Sequence, residues 1–172
     1  MWDDIKLAKK LELWGEGDDK NLAAAFIVLF LRFEYALKRT GFLLNETPGE
    51  RAEPNWDKYG VSCNDDFGRL LLADPDLAAA RRFLLDDPPN KQIVDDYKQP
   101  DWTDEQKDSN KERLFELLRH VRFVRNNLMH GEKCGFGPRD LELVKRSLTI
   151  LKACAGINPD VLAAIRSNNF LD

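Results

Sequence analysis

The chain reads as an all-α protein, a helical bundle with two long core helices and an irregular middle insertion. Three observations say so. Leu22 to Leu31 (LAAAFIVLFL) is an unbroken apolar run inside a longer stretch rich in helix formers. Leu114, Leu117, Leu118, Val121, Val124 and Leu128 recur at the three- and four-residue spacing of one helix face. Gly41, Asp74-Pro75 and Asn158-Pro159 punctuate the pattern where helices stop and start.

Taken in order, Asp3 to about Trp14 sets Ile5, Leu7, Leu11 and Leu13 among charged residues, which predicts a short amphipathic helix. Gly15 to Asp19 breaks it, and Asp18 or Asp19 can cap the long helix expected from Lys20 to Thr40, stopped by Gly41. Asn45 to Trp56 holds Pro48, Gly49 and Pro54 and reads as a loop. Two short helices follow, Asp65–Ala73 and Asp76–Leu85, parted by Asp74-Pro75. Residues 90–103 are expected to be extended or irregular; two strands are conceivable there, but no sheet is assigned. Thr103-Asp-Glu-Gln resembles a capping box and predicts the start of a long helix running towards His130, with Gly131 as its stop. Arg139–Ala155 is a further amphipathic helix, and Asn158-Pro-Asp opens a last short one.

The 172 residues suit one domain, 1–172, with about 42–103 as the insertion. A chain of this length buries roughly 70% of its unfolded surface. Met1-Trp-Asp-Asp-Ile lacks a basic region followed by an apolar one, so no signal peptide is expected. The ten-residue apolar run falls short of the roughly 20 residues that span a bilayer. Cys63, Cys134 and Cys154 are odd in number and far apart, which fits reduced thiols in a cytoplasmic protein. With only His120 and His130 and no clustered cysteines, neither a metal nor another cofactor is expected. Trp2, Trp14, Trp56 and Trp102 are scattered and read as packing residues. The net charge of −4 argues against bulk polyanion binding. Between Lys111 and Lys133, however, six cations face three anions, a local excess that could engage a few phosphates.

The chemistry-bearing residues gather at the end of the helix that carries this basic strip. Opposite its apolar stripe lie Phe115, Arg119, Arg122, Phe123, Asn126 and His130, a face both aromatic and cationic. Such a face suits a contact with another segment of this chain or with a second protomer. Arg125 projects at the edge of the apolar stripe and must snorkel or find an acceptor. Glu34 sits equally out of place among Ile27, Phe30, Phe33 and Leu37 on the other long helix. The two are expected within salt-bridge reach, either as a site or as an ion pair that fixes helix register. His120 is expected to be a partly exposed helix residue.

Phe123-Val-Arg-Asn-Asn-Leu-Met-His-Gly131 contains the pattern R-N-x-x-x-H, which resembles the signature of the HEPN superfamily. These are small all-helical proteins, many of them metal-independent ribonucleases. The resemblance implies an endoribonuclease in which His130 serves as acid or base, Arg125 binds phosphate and Asn126 orients the imidazole or binds phosphate. Arg119, Arg122 and Lys133 would hold substrate. An ideal helix sets Arg125 and His130 about 140° apart, so a composite site needs local unwinding or a second copy. HEPN proteins commonly homodimerise so that two motif helices meet, and Phe115, Phe123 and Met129 would be the contacts. Some members add an acidic residue from an earlier helix, which Glu34 matches. The implied setting is cytoplasmic defence, stress or toxin–antitoxin biology, with RNA as substrate and an antitoxin or defence-system protein as partner. HEPN toxins modified by nucleotidyltransferases carry a tyrosine two residues past the histidine; this chain has Glu132 there. The alternative implied by the same resemblance is a dimeric, non-catalytic scaffold.

Overall fold

The computed structural model describes residues 18–94, 96–103, 113–129 and 137–167. The long apolar run forms α1 (Asp18–Arg39), which is 22 residues long and buries Phe26, Leu29, Phe30, Phe33, Ala36 and Leu37. Gly41 ends it as expected, at φ +83°, a conformation glycine adopts without a Cβ penalty. The Phe42 N–H then reaches back to the Leu37 carbonyl at 2.9 Å, closing the helix end. The helix expected at residues 3–14 lies outside the described residues.

The middle of the chain is more regular than its composition suggests. It supplies α2 (Trp56–Ser62), α3 (Asn64–Ala73), α4 (Pro75–Asp86) and a two-stranded antiparallel hairpin, β1 (Lys91–Val94) with β2 (Pro100–Thr103). It is also part of the core, since Trp56, Tyr59, Cys63, Phe67, Leu77, Ala80 and Leu84 are all buried. Trp56 stacks on Phe33 at 5.2 Å between centroids and on Phe30 at 5.0 Å, which ties the unanticipated α2 to α1. Asp74 caps α4 by accepting from the Leu77 N–H at 2.9 Å, with Pro75 opening the helix as its fixed φ favours.

Thr103 closes β2 opposite Lys91, and the start of the long helix expected from it lies outside the described residues, within which α5 runs Leu114–Met129. Asn64, the first residue of α3, bonds into α5: its Oδ1 accepts from the Leu114 N–H at 3.0 Å.

After residue 136 come α6 (Pro138–Ile157) and α7 (Pro159–Arg166), bent 114° apart around Asn158. The Asn158 side chain caps α7 through the N–H groups of Asp160 and Val161. In the packing, α6 lies against both α1 and α4, α7 folds back on α1, and α2 lies along α5. Two side chains satisfy orphan carbonyls at helix ends. Tyr59 donates its hydroxyl to the Cys154 carbonyl of α6 at 2.6 Å, and Arg32 donates to the Ile165 carbonyl of α7 at 3.3 Å. Among the described residues no single helix is long and apolar enough to cross a membrane.

Candidate functional site

Helix α5 is gripped along its length, and this sets the direction of every side chain on its last turn. At its N-terminal end Gly60 of α2 approaches so closely that a Cβ there would lie 2.6 Å from the Phe115 Cα. In the middle, His120 places Nδ1 2.9 Å from the Leu84 carbonyl of α4. Near the C-terminal end Asn127 donates Nδ2–H to the Asn90 carbonyl at 2.9 Å, which pins the segment entering β1. The apolar stripe between these grips is the expected one: Leu114, Leu117, Leu118, Val121 and Val124 are buried, and Leu128 packs against them.

His120 corrects the sequence reading. It is buried, not partly exposed, because α4 covers a second side of α5 beyond the apolar stripe. Among the described residues it belongs to the packing of α4 on α5.

Arg125 and Glu34 meet as expected. Arg125 Nη2 lies 3.9 Å from Glu34 Oε2, and both side chains are about three-quarters covered. The guanidinium also lies over the Phe30 ring, 5.3 Å from its centroid, and Arg125 Nη1 donates to Asn126 Oδ1 at 3.0 Å. The cation therefore has an aromatic floor, a carboxylate on one side and an amide on the other. Among the described residues only one hydrogen bond draws on its five N–H donors, so the fork retains capacity for an anion. Glu34 holds the group more by charge than by a hydrogen bond, since 3.9 Å exceeds hydrogen-bond length.

The other sites divide. Arg122 is exposed on the outward strip of α5. Arg119 is half-buried, 3.5 Å from Glu116 and 5.8 Å above the Phe123 ring, so part of its charge is spent within its own helix. Phe123 is half-buried and Met129 is exposed. Phe115 is half-buried with its backbone against Gly60, so α2 of the same chain covers that end of the aromatic face. His130 and Lys133, like the turn expected at Gly131, lie outside the described residues. Among the described residues no group of three or more His, Cys, Asp or Glu could hold a metal ion.

Two contributors escaped the sequence reading. Phe30 is the floor under Arg125, and only its one-turn offset from Glu34 on α1 hinted at it. Asn127 anchors the hairpin root; its seven-residue separation from His120, which puts both on the α4 side of α5, was the available signal. Beside it a small pocket opens between α5 and α6, lined by Val124, Asn127, Leu128, Arg139, Asp140, Leu143 and Val144. Arg139 closes its rim by a two-pronged bond to Asp87, at 2.9 and 3.0 Å.

The chain was compared with protein-family models, with curated proteins and with solved structures, and nothing matches in any of the three.

Proposed function

We propose that the protein is a metal-independent endoribonuclease of the HEPN type. The observation that carries this reading is the setting of Arg125. A half-buried guanidinium is held by Glu34 and Phe30 across two helices, beside Asn126 and five residues before His130 in sequence. A preorganised fork of this kind suits phosphate, because its geometry is set before the ligand arrives.

In the proposed reaction the RNA 2′-oxygen attacks the adjacent phosphorus and the bond to the 5′-oxygen breaks. One proton leaves the 2′-hydroxyl and one is delivered to the departing 5′-oxygen. An imidazole, whose unperturbed pKa is near ~6.5, is suited to either transfer, and His130 takes that role in the proposal. Arg125 neutralises charge on the phosphate, Asn126 orients it or the imidazole, and Arg122 and Lys133 hold the flanking backbone. A second copy of the chain, meeting the first along the α5 strip of Phe123 and Met129, would complete the cleft.

The test is cleavage of a labelled single-stranded RNA in EDTA by the wild type and by His130→Ala. Cleavage lost in the variant, with 2′,3′-cyclic phosphate ends from the wild type, is the expected result. No cleavage by either protein would turn the reading to a dimeric HEPN-like scaffold that binds a protein or nucleotide partner. The net charge of −4 and the internal partners of Arg125 favour that alternative.

A further inference from the structure

Helices α1 and α5 are bridged at the Glu34–Arg125 pair, and the contacts around it fix how they run. Phe115, near the start of α5, lies against Gly60 of α2. The neighbouring Tyr59 packs edge-on against Phe33 of α1 and Phe42 just past its end. Ten residues further along α5, Arg125 has come back to Phe30 and Glu34. The two helices are therefore antiparallel.

That sense brings a residue no earlier argument used to the site. Lys38 is one turn on from Glu34 along α1, and Arg122 is one turn back from Arg125 along α5. Both are displaced towards the same end of the gap, by about 6 and about 4.5 Å along the axes. Lys38 stands about 40° round α1 from Glu34, and Arg122 about 60° round α5 from Arg125. Rotation the other way leads into buried residues, Phe30 and Phe26 on α1, Val121 and Val124 on α5. Lys38 and Arg122 therefore flank the same solvent side of the gap, and Arg122 is exposed while Lys38 is half-buried.

Neither cation is spent within the fold. Among the described residues no side-chain hydrogen bond or ion pair engages Lys38 or Arg122. Arg51, Arg69, Arg139 and Arg146, by contrast, are each paired with a carboxylate. Lys38, Arg122 and Arg125 against Glu34 give these four side chains a net charge of +2, in a chain whose net charge is −4. A local cationic gap in an acidic protein suits a ligand that carries more than one phosphate.

We propose that Lys38 and Arg122 form a second phosphate subsite beside the Arg125 fork, so that the gap between α1 and α5 grips an RNA strand by two successive phosphates. The assignment rests on the ribonuclease reading above and deepens it, naming Lys38 as a substrate-binding residue and an oligonucleotide as the substrate. A lysine suits the outer position, because a compact charge on a flexible stem follows a phosphate without reading the base beside it. Lys38 also lies in the last turn of α1, where a cation offsets the carbonyl end of the helix. That role alone would move the melting temperature and leave RNA binding unchanged.

The experiment uses the full chain carrying His130→Ala, so that RNA survives, and a fluorescein-labelled eight-nucleotide single-stranded RNA in EDTA. Anisotropy titrations across a salt series compare this parent with added Lys38→Gln, Lys38→Arg and Lys145→Gln. Lys38→Gln is expected to raise Kd about fivefold at low salt. It should also reduce the slope of log K against log salt by about 0.7, the share of one single-strand phosphate. Lys38→Arg keeps the charge and should keep both values. Lys145 is exposed on α6, outside the gap, and its replacement should leave the slope alone. An unchanged Kd and slope for Lys38→Gln, or an equal loss for Lys145→Gln, would overturn the subsite, while cleavage by the wild type would leave the ribonuclease reading intact. A loss confined to Lys38→Gln, beside a wild type that never cleaves, would keep the subsite and sink the nuclease. A parent that binds no single-stranded RNA would overturn the subsite, and the nuclease with it if the wild type does not cleave.

Discussion

Breaking the Glu34–Arg125 pair tests whether the site is built or incidental. At 3.9 Å, two unit charges attract by about 4 kcal/mol in a partly buried setting of effective dielectric about 20. Against this stand the ordering of two long side chains and their partial desolvation, each side chain keeping a quarter or slightly more of its surface in water. The net coupling should therefore fall near ~1 kcal/mol, at the upper end for exposed pairs and below the cost of breaking a fully buried one. A double-mutant cycle of Glu34→Gln and Arg125→Met, read by urea unfolding, isolates it. Arg125→Met also removes the cation above Phe30, about 0.5–1 kcal/mol more, so it should be the costlier single change. For a chain of this size each 1 kcal/mol lowers Tm by about 2–4 °C. A coupling indistinguishable from zero, or a Glu34→Gln variant less stable than Arg125→Met, would refute the argument. On the ribonuclease reading Glu34→Gln leaves the fork in place and loosens it, so RNA cleavage should fall less than with Arg125→Met.

Gly60→Ala ought to gain about 1 kcal/mol of helix propensity, yet its Cβ would meet the Phe115 Cα at 2.6 Å and Cβ at 2.7 Å. Separating α2 from α5 by about 1 Å disturbs the Trp56 stack, so a net loss near ~2 kcal/mol is expected in urea unfolding, and a stabilised variant would contradict the packing. Alkaline pH should also weaken the fold. Burial raises the Cys154 thiol well above its ordinary value, and the nearby Cys63 adds to this. Above about pH 8.5 the unfolded chain releases that proton while the folded one keeps it, so stability falls by about 1.4 kcal/mol per pH unit. Cys154→Ala should flatten this slope between pH 8.5 and 10, and an unchanged slope would trace the loss to another group.

What was legible in the sequence was what burial dictates. An apolar run with no polar interruption had to be a core helix, and the periodic stripe of α5 had to face inward. Glu34 and Arg125 were legible as a pair for the same reason: two opposite charges on apolar faces each need a partner, and each was the nearest candidate of the right sign. Trp56–Ser62 was not, because seven residues with a glycine among them carry too little periodicity to announce a helix. It forms because Trp56 and Tyr59, one turn apart, bury against Phe30 and Phe33. The hairpin and its anchor were hidden for a different reason, since a side-chain amide bound to a backbone carbonyl 37 residues away leaves no trace in local pattern.

That hidden part decides what the legible part can do. α2 covers α5 around Phe115 at its N-terminal end, and α4 and the hairpin root cover the side that His120 and Asn127 share. The helix keeps one arc in which Arg122, Asn126 and Met129 stand one turn apart, with Arg125 at its edge against α1. A ligand reaching the Arg125 fork has to approach along this arc. It therefore passes Arg122 and Asn126, whereas the hairpin root, held by Asn127, lies about 160° round the helix from Arg125.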